Sequence, residues 1–432
     1  MKAVPAATYS TPRRSIDPTS GARTASVPCG RLQRRPRILV FAYACEPSRG
    51  SEPGAGWGVV RALGEFADCV VLVAPEHMPA IERWKERHGT DEMRFVEVGE
   101  RWFTPPQRRH RLTRFALYLD WLRRANTVGR TMHERHKFDL VYHATYSTYW
   151  LPTPAVRYGI PSIWGPVGGA VVTPRSLWPL LGWRGVLSEI ADWVGVRVLA
   201  SIPSSRRSCR LATVRMVQNE ATRQRLPEDV RGATLVLNHA LLTQVPAMPP
   251  VCRGTHCVFV GALDSRKGAR LAIEAMSHAA PHVHLDIIGD GPERRSLERL
   301  ARRIGVADRT DFRGHASREQ VLIAVRRAAA AVFTGLREEG GLALAEAMLV
   351  GTPVIVLAHG GARTIASSST DPDRVVLVAP SDRRTTAIQI GRAMTRFSQS
   401  LSQRDDPMLD GAAAAQVLRT AVEGVCVAAV SR

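Results

Sequence analysis

Lysine is almost missing from this chain of 432 residues: it stands only at positions 2, 85, 137 and 267, and arginine supplies 55 of the 59 basic side chains. With abundant alanine, that imbalance reads as the bias of a GC-rich coding sequence, not as a surface built for one polyanion. The formal net charge of +20 is discounted accordingly. Aromatic residues make up only 6% and do not interleave with the basic runs, so the stacking partners of a nucleic-acid binder are lacking. Cysteines (29, 45, 69, 209, 252, 257 and 426) are odd in number and without a C-x-x-C pair. Cys252 and Cys257 have no second pair to complete a zinc set, and the usage fits a reduced, cytosolic enzyme. Apolar runs of 18 residues are missing too. The nearest approach, Leu177 to Ala200, is broken by Arg184, Glu189, Asp192 and Arg197 and reads as non-spanning.

What is present is ordinary globular composition, 45% apolar and 23% charged, in a length that suits two domains. The first 36 residues carry seven basic groups against Asp17 in a Pro/Ser/Thr/Gly-rich setting and read as a disordered basic arm without an apolar signal core. The remaining charge still favours polyanionic ligands or anionic lipid surfaces. From residue 37, apolar runs alternate with helix-period segments, at 37–43, 69–74, 138–144, 162–165, 214–218 and 234–239. Runs without period-2 alternation predict strands buried on both faces, hence a parallel sheet covered by helices. A Pro/Cys-rich stretch at 244–255 reads as a linker. The pattern then restarts at 257–263 and recurs at 283–289, 310–314, 330–335, 353–358 and 374–379. The expectation is an α/β protein with two Rossmann-like, doubly wound parallel-sheet domains, 37–243 and 256–405, facing across a cleft. An Ala-rich helix within 406–432 packs against them.

In such sheets ligands bind beyond the carboxyl ends of the strands. The first strand runs into CEPSRGSEPGAGWG (45–58), where Gly54 and Gly56 stand at a strand-to-helix turn that lets a helix start approach an anion. A tight structural turn explains the same glycines. The second domain's first strand ends in GALDSRKG (261–268), which puts Arg266 and Lys267 just before a helix N-terminus, a place suited to a diphosphate. The stretch TGLREEGGLALAEAMLVGTPVIV (334–356) delivers Glu338 into a glycine-rich turn. Gly341 and Leu342 then offer N–H groups to a phosphate, and Glu346 stands about one turn further on, where a carboxylate can hold a ribose diol.

These motifs together resemble the family 4 retaining glycosyltransferases of the GT-B fold. That family carries two glutamates eight apart in an E-G-F-G-L-x-x-x-E-A-x-x-x-G-x-P-V-I pattern, matched here by Glu338, Gly341, Leu342, Glu346, Ala347, Gly351, Pro353, Val354 and Ile355. Its G-R-L-x-x-x-K-G appears as Gly261, Leu263, Lys267 and Gly268, with Ala262 in place of the arginine; G-D-G-P appears at 289–292. In the first domain CEPSRGSEPGAGW, the strand-end His143 and WGPVGGA (164–170) resemble a bacterial branch that builds surface polysaccharides. The resemblance implies that Glu346 holds the donor ribose, Glu338 the transferred sugar, and Arg266 with Lys267 the diphosphate. His143 would act near the reacting carbon, and Gly168 and Gly169 would form an acceptor or sugar loop. Glu339, inserted beside Glu338, would put an extra charge next to the donor pocket.

The implied reaction is retaining transfer of a sugar from a nucleotide-diphosphate-sugar to a hydroxyl of a glycan or lipid-linked acceptor, with neither metal nor cofactor. The rivals are an inverting GT-B transferase, a phosphorylase and a non-catalytic sugar-nucleotide binder. The expected location is cytoplasmic, with peripheral attachment to the inner face of the plasma membrane through RRHRLTRFALYLDWLRR (108–124). That segment would place Leu112, Phe115, Ala116, Leu119 and Leu122 on one helical face, with arginines crowding its ends. The same pattern suits a core-facing helix with solvated arginines, and both hold if the arginines meet headgroups while the apolar face stays buried.

Overall fold

The computed structural model describes residues 34–47, 49–89, 93–99, 111–249, 251–399 and 406–430. All but the last three residues of the basic arm lie outside that set. Seven parallel strands form the first sheet: β1 (Arg37–Phe41), β2 (Asp68–Val73), β3 (Met93–Glu97), β4 (Leu140–His143), β5 (Ser162–Val167), β6 (Val214–Val217) and β7 (Leu235–Val236). Their order is β3-β2-β1-β4-β5-β6-β7. Six more make the second sheet: β8 (His256–Val260), β9 (His284–Ile288), β10 (Thr310–Gly314), β11 (Ala330–Phe333), β12 (Val354–Leu357) and β13 (Val375–Val378), in the order β10-β9-β8-β11-β12-β13. All neighbours in it are parallel as well.

Strand β1 shows why the runs are continuous. Ile38 and Val40 enter one core cluster while Leu39 and Phe41 enter another on the opposite face of the sheet. Each such side chain, fully enclosed, contributes about 1.5–3 kcal/mol of burial. Strand order reverses between β1 and β4 in the first sheet and between β8 and β11 in the second, so each domain opens a crevice at the ends of those strands. The loops that follow β8 and β11 carry the expected donor residues.

Five helices of the first domain matter below: α1 (Ser51–Gly64), α2 (Met78–His88), α3 (Arg111–His136), α4 (Gly182–Ala200) and α5 (Pro203–Leu211). Helix α3 corrects an expectation. Its buried stripe is Leu117, Tyr118, Trp121, Leu122 and Ala125, packed on the first sheet, whereas Ala116 is exposed and Phe115 and Leu119 are half-buried. The aromatic residues Tyr118 and Trp121 set the rotation by burying the larger area. Arg108 and Arg109, and the Leu112 side chain, lie outside the described part. This helix is a core element and not a free amphipathic one.

The helix Gly411–Val430 is long and apolar enough to cross a membrane by length and composition. One face of it, with Ala414, Leu418, Val422 and Cys426, is nevertheless packed into the first domain's core beside α1. The chain therefore returns to the first domain after completing the second.

Candidate active site

A cleft of about 600 Å³ separates the two domains, lined by Ser51, Glu52 and His239 on one side and by the loops after β8 and β11 on the other. Local sequence explains both loops. Asp264 caps the turn Ser265–Lys267 by accepting from the Arg266 and Lys267 backbone N–H groups at 3.0 and 3.2 Å. Its other oxygen takes the Arg266 guanidinium at 2.8 Å. Gly268 follows at φ +69°, where a Cβ would lie 2.1 Å from the Thr334 carbonyl oxygen. Only glycine lets the two loops come this close, and Leu336 N–H donates to the Arg266 carbonyl at 2.7 Å to tie them.

The second loop ends at Gly341, φ +60°, which caps the helix Leu342–Leu349. Glu338 occupies the helix start itself. Its Oε1 accepts from Gly341 N–H at 3.1 Å and its Oε2 from Lys267 Nζ at 2.6 Å. A carboxylate thus stands where an incoming phosphate would find a cation and a helix N-terminus. Lys267, Arg266, Glu338, Gly341 and Leu342 all line the cleft, so the structure brings these five expected residues together.

Other expected residues sit elsewhere. Glu346 is buried and accepts from Arg318 Nε at 2.6 Å, and it is not among the cleft-lining residues. Gly54 and Gly56 lie in the first turns of α1, packed against the backbone of Arg49 and Ala44; Ser51 and Glu52, just ahead of them, face the cleft instead. The glycines allow close packing rather than contacting the cleft. Gly168 and Gly169 lie at the domain boundary beside Glu339.

His143 requires a correction. It is 2% exposed, with Nε2 facing the Tyr118 hydroxyl and Nδ1 facing the Thr153 hydroxyl, each at 3.0 Å. Burial pushes its pKa down to about 4 against the partial support of the Thr145 backbone. A neutral, enclosed imidazole with both nitrogens engaged does not reach a reacting carbon in the cleft. The sign of the linkage is clear: with the folded value below the ordinary 6.5, stability is full above pH 6.5 and is lost as pH falls toward 4. Over that window the protein should lose about 3 kcal/mol through this residue. His143→Gln should show a flatter decline of melting temperature with acidification, measured side by side with the parent. An equally steep decline would contradict the assignment.

Glu339 lines the cleft beside Glu338, and its carboxylate crosses to the first domain, accepting from Val171 N–H at 2.7 Å and Asn219 Nδ2 at 2.9 Å. Asn238 Nδ2 donates to its carbonyl at 3.1 Å. Burial raises its pKa, and the Val171, Asn219 and Gly169 hydrogen bonds oppose that rise. Arg337 bonds Asp192 of α4 at 2.8 Å, and His359 Nε2 lies 2.7 Å from the Val172 carbonyl oxygen. The residues between Arg337 and His359 thus latch the domains together around the cleft.

Sequence reasoning missed Asp264, Glu52 and His239. The Asp-Ser-Arg-Lys order was a readable capping signal for Asp264. Glu52 accepts from Tyr146 N–H at 3.1 Å and lies 3.7 Å from His239 Nε2; both partners are distant in sequence and left no local signal. Among the described residues no group of three His, Cys, Asp or Glu side chains comes together as a metal cage.

Residues 255–394 match the family described as glycosyl transferases group 1. The match falls within the second domain and covers all six of its strands. A D-inositol 3-phosphate glycosyltransferase of Xylanimonas cellulosilytica is 33% identical over 112 residues, 25% of this chain and 27% of its own length. A 2-deoxystreptamine glucosyltransferase of Streptomyces kanamyceticus is 31% identical over 106 residues, 24% of this chain and 27% of its own. The chain spans about a quarter of the length of these curated relatives. Among solved structures, HepE of Anabaena, in complex with UDP and glucose, superposes with a TM-score of 0.52 at 16% identity, covering 90% of this chain and 99% of that one. Sucrose-phosphate synthase of Thermosynechococcus elongatus gives 0.55 at 16% identity over 91% and 100%. The chain therefore has the GT-B fold, and residues 255–394 of its second domain match the group 1 family.

Proposed function

We propose that this protein is a retaining glycosyltransferase that moves a sugar from a nucleotide-diphosphate-sugar to a hydroxyl of a glycan or lipid-linked acceptor. The observation that carries the reading is Lys267 meeting Glu338 at the start of the helix Leu342–Leu349, inside a cleft between two domains. In the transfer, the bond between the anomeric carbon and the diphosphate oxygen breaks, and the nucleoside diphosphate leaves with the electron pair. The acceptor oxygen bonds to the same face of that carbon, and its proton passes to the leaving phosphate. Charge develops on the departing oxygen, where Lys267, Arg266 and the helix N-terminus act as fixed positive partners. Arg266 takes the place of the family arginine that Ala262 lacks, since it lines the same cleft from the same loop. Glu338, once displaced by the diphosphate, is free to accept hydrogen bonds from the sugar.

The proposal includes metal-independent action, because the cationic loop supplies the charge that a divalent ion would bring. It also includes a cytoplasmic location at the inner face of the plasma membrane and work on surface polysaccharide. An inverting mechanism would need a base in the cleft; the enclosed His143 is not placed for that role, and Glu52 and His239 are the first-domain groups that would have to serve. UDP-glucose is the first donor to try, since UDP and glucose occupy the HepE structure. Transfer monitored by proton NMR should give a product with the donor's anomeric configuration, at an undiminished rate in excess chelator. An inverted product would refute retention. Loss of transfer in chelator, restored by magnesium or manganese, would refute metal independence.

A further inference from the structure

Helix α4 is built inside out. Its apolar residues Leu187, Ile190, Val194 and Val198 fall within roughly 80° of one another at 3.6 residues per turn, and all four are exposed, Leu187 by 57% and Val198 by 63%. Ile202, just past the helix, extends the same stripe. The acidic residues Glu189 and Asp192 point the other way, to Thr173 N–H and to Arg337. Water favours the reverse arrangement, and a contiguous apolar stripe of this length marks a contact surface.

Beside the stripe lies a cavity of about 810 Å³ into which Arg197, Arg206, Arg210, Arg225 and Arg231 converge. Two acidic residues share the wall. Asp229 is committed to Arg210 at 2.8 Å, and Glu228 is the other; Arg231 bonds the Leu226 carbonyl. Arg197 stacks over Trp193 at 4.8 Å and keeps its charge toward the cavity. Arg197, Arg206 and Arg225 are the cations left to an incoming anion. Ser201 and Ser205 line the same wall.

A small pocket of about 20 Å³ lies between the two, sharing Tyr149, Arg197 and Arg225 with the arginine cavity and Asp192 and Arg337, bonded to each other at 2.8 Å, with the donor cleft.

We infer that the α4 stripe and the arginine cavity together seat a phosphate-bearing lipid acceptor held in a membrane. The stripe meets the hydrocarbon edge and the phosphate lies among Arg197, Arg206 and Arg225; the Asp192–Arg337 contact must open for the glycan beyond it to reach Lys267 and Glu338. This inference rests on the glycosyltransfer reading for the acceptor role. Charge complementarity selects a phosphate over a neutral headgroup, and the exposed stripe selects a bilayer over a soluble glycan phosphate. It also moves the membrane contact from α3, whose apolar face is filled, to α4.

The test uses the full chain and co-sedimentation with phosphatidylcholine vesicles, with and without phosphatidic acid, at low and high salt. The parent should sediment with phosphatidic acid vesicles at low salt and detach as salt rises. Leu187→Ser/Val198→Ser, at exposed positions that leave the core intact, should weaken sedimentation at least tenfold on either vesicle. Arg206→Ala/Arg225→Ala should erase the preference for phosphatidic acid. Both variants should bind UDP like the parent in calorimetry, since the nucleotide belongs to the second domain. A parent that ignores both vesicles yet binds UDP overturns this seat alone. Strong binding of free pyrophosphate without vesicle binding overturns the lipid assignment, and so does a dimer in sedimentation velocity that Leu187→Ser/Val198→Ser dissolves. A parent that sediments but binds no UDP, ADP or GDP overturns the transfer reading and the acceptor role with it.

Discussion

Lys267→Ala should weaken nucleoside diphosphate binding by roughly tenfold to a hundredfold, the equivalent of one charge-assisted hydrogen bond, about 1.5–3 kcal/mol. The upper end is expected, because the substitution also strips Glu338 of its counter-charge. The freed carboxylate would then sit at the helix start with its direct ion pair gone and only the Gly341 N–H hydrogen bond left, repelling the very group that must enter. Glu338→Gln should behave oppositely. UDP affinity should hold or rise severalfold, since the diphosphate no longer displaces an anion from Lys267. Transfer should fall about tenfold to a hundredfold through loss of the sugar contact, with the loss in kcat. Calorimetry with UDP and steady-state rates on both variants read the pair. Unchanged UDP affinity in Lys267→Ala would remove the diphosphate from this loop.

The second large effect concerns the domain latch. Glu339→Ala should leave Val171 N–H and the Asn219 amide without their acceptor at a buried boundary, costing about 3 kcal/mol of domain docking. The domains should separate, seen as a larger radius of gyration in solution scattering, and turnover should drop while UDP still binds the second domain. The same residue gives a pH dependence. Its folded pKa is raised by burial, so docking is strongest below the ordinary carboxylate range and weakens as pH rises through the raised value. Glu339→Gln keeps an acceptor without the charge and should stay docked across that range. A parent whose dimensions do not change with pH would show that Arg337 and His359 hold the boundary unaided.

How much of this was legible depends on where each partner lies in the chain. Strands buried on both faces announce themselves as short apolar runs, and so the two sheets could be read from 37–43 onward. Strand β3 could not: at the sheet edge it alternates, with Met93 and Phe95 buried and Arg94 exposed, and offers no continuous run. The cationic loop and its facing glutamate were legible because each is a local motif beside a helix start. The partners of Glu339 were not legible, because they lie 168 and 120 positions away, beyond any periodicity. His143 entered the candidate site through the family resemblance alone, and no local pattern showed that Tyr118 and Thr153 enclose it in three dimensions. The α4 stripe failed differently. Its apolar residues were visible, but only tertiary structure reveals that the acidic side is the one turned inward.

The helix Gly411–Val430 sets the order of assembly on the ribosome. Leu418 and Val422 are fully enclosed in the first domain's core, yet they are synthesised after every strand of the second domain. Until they emerge, the surface of α1 that they cover stands open to solvent. The domain that begins first therefore finishes last, and a nascent chain stalled near residue 400 would carry a finished second sheet behind a first one still lacking its cover. Vectorial synthesis completes the two halves in the reverse of the order in which they start.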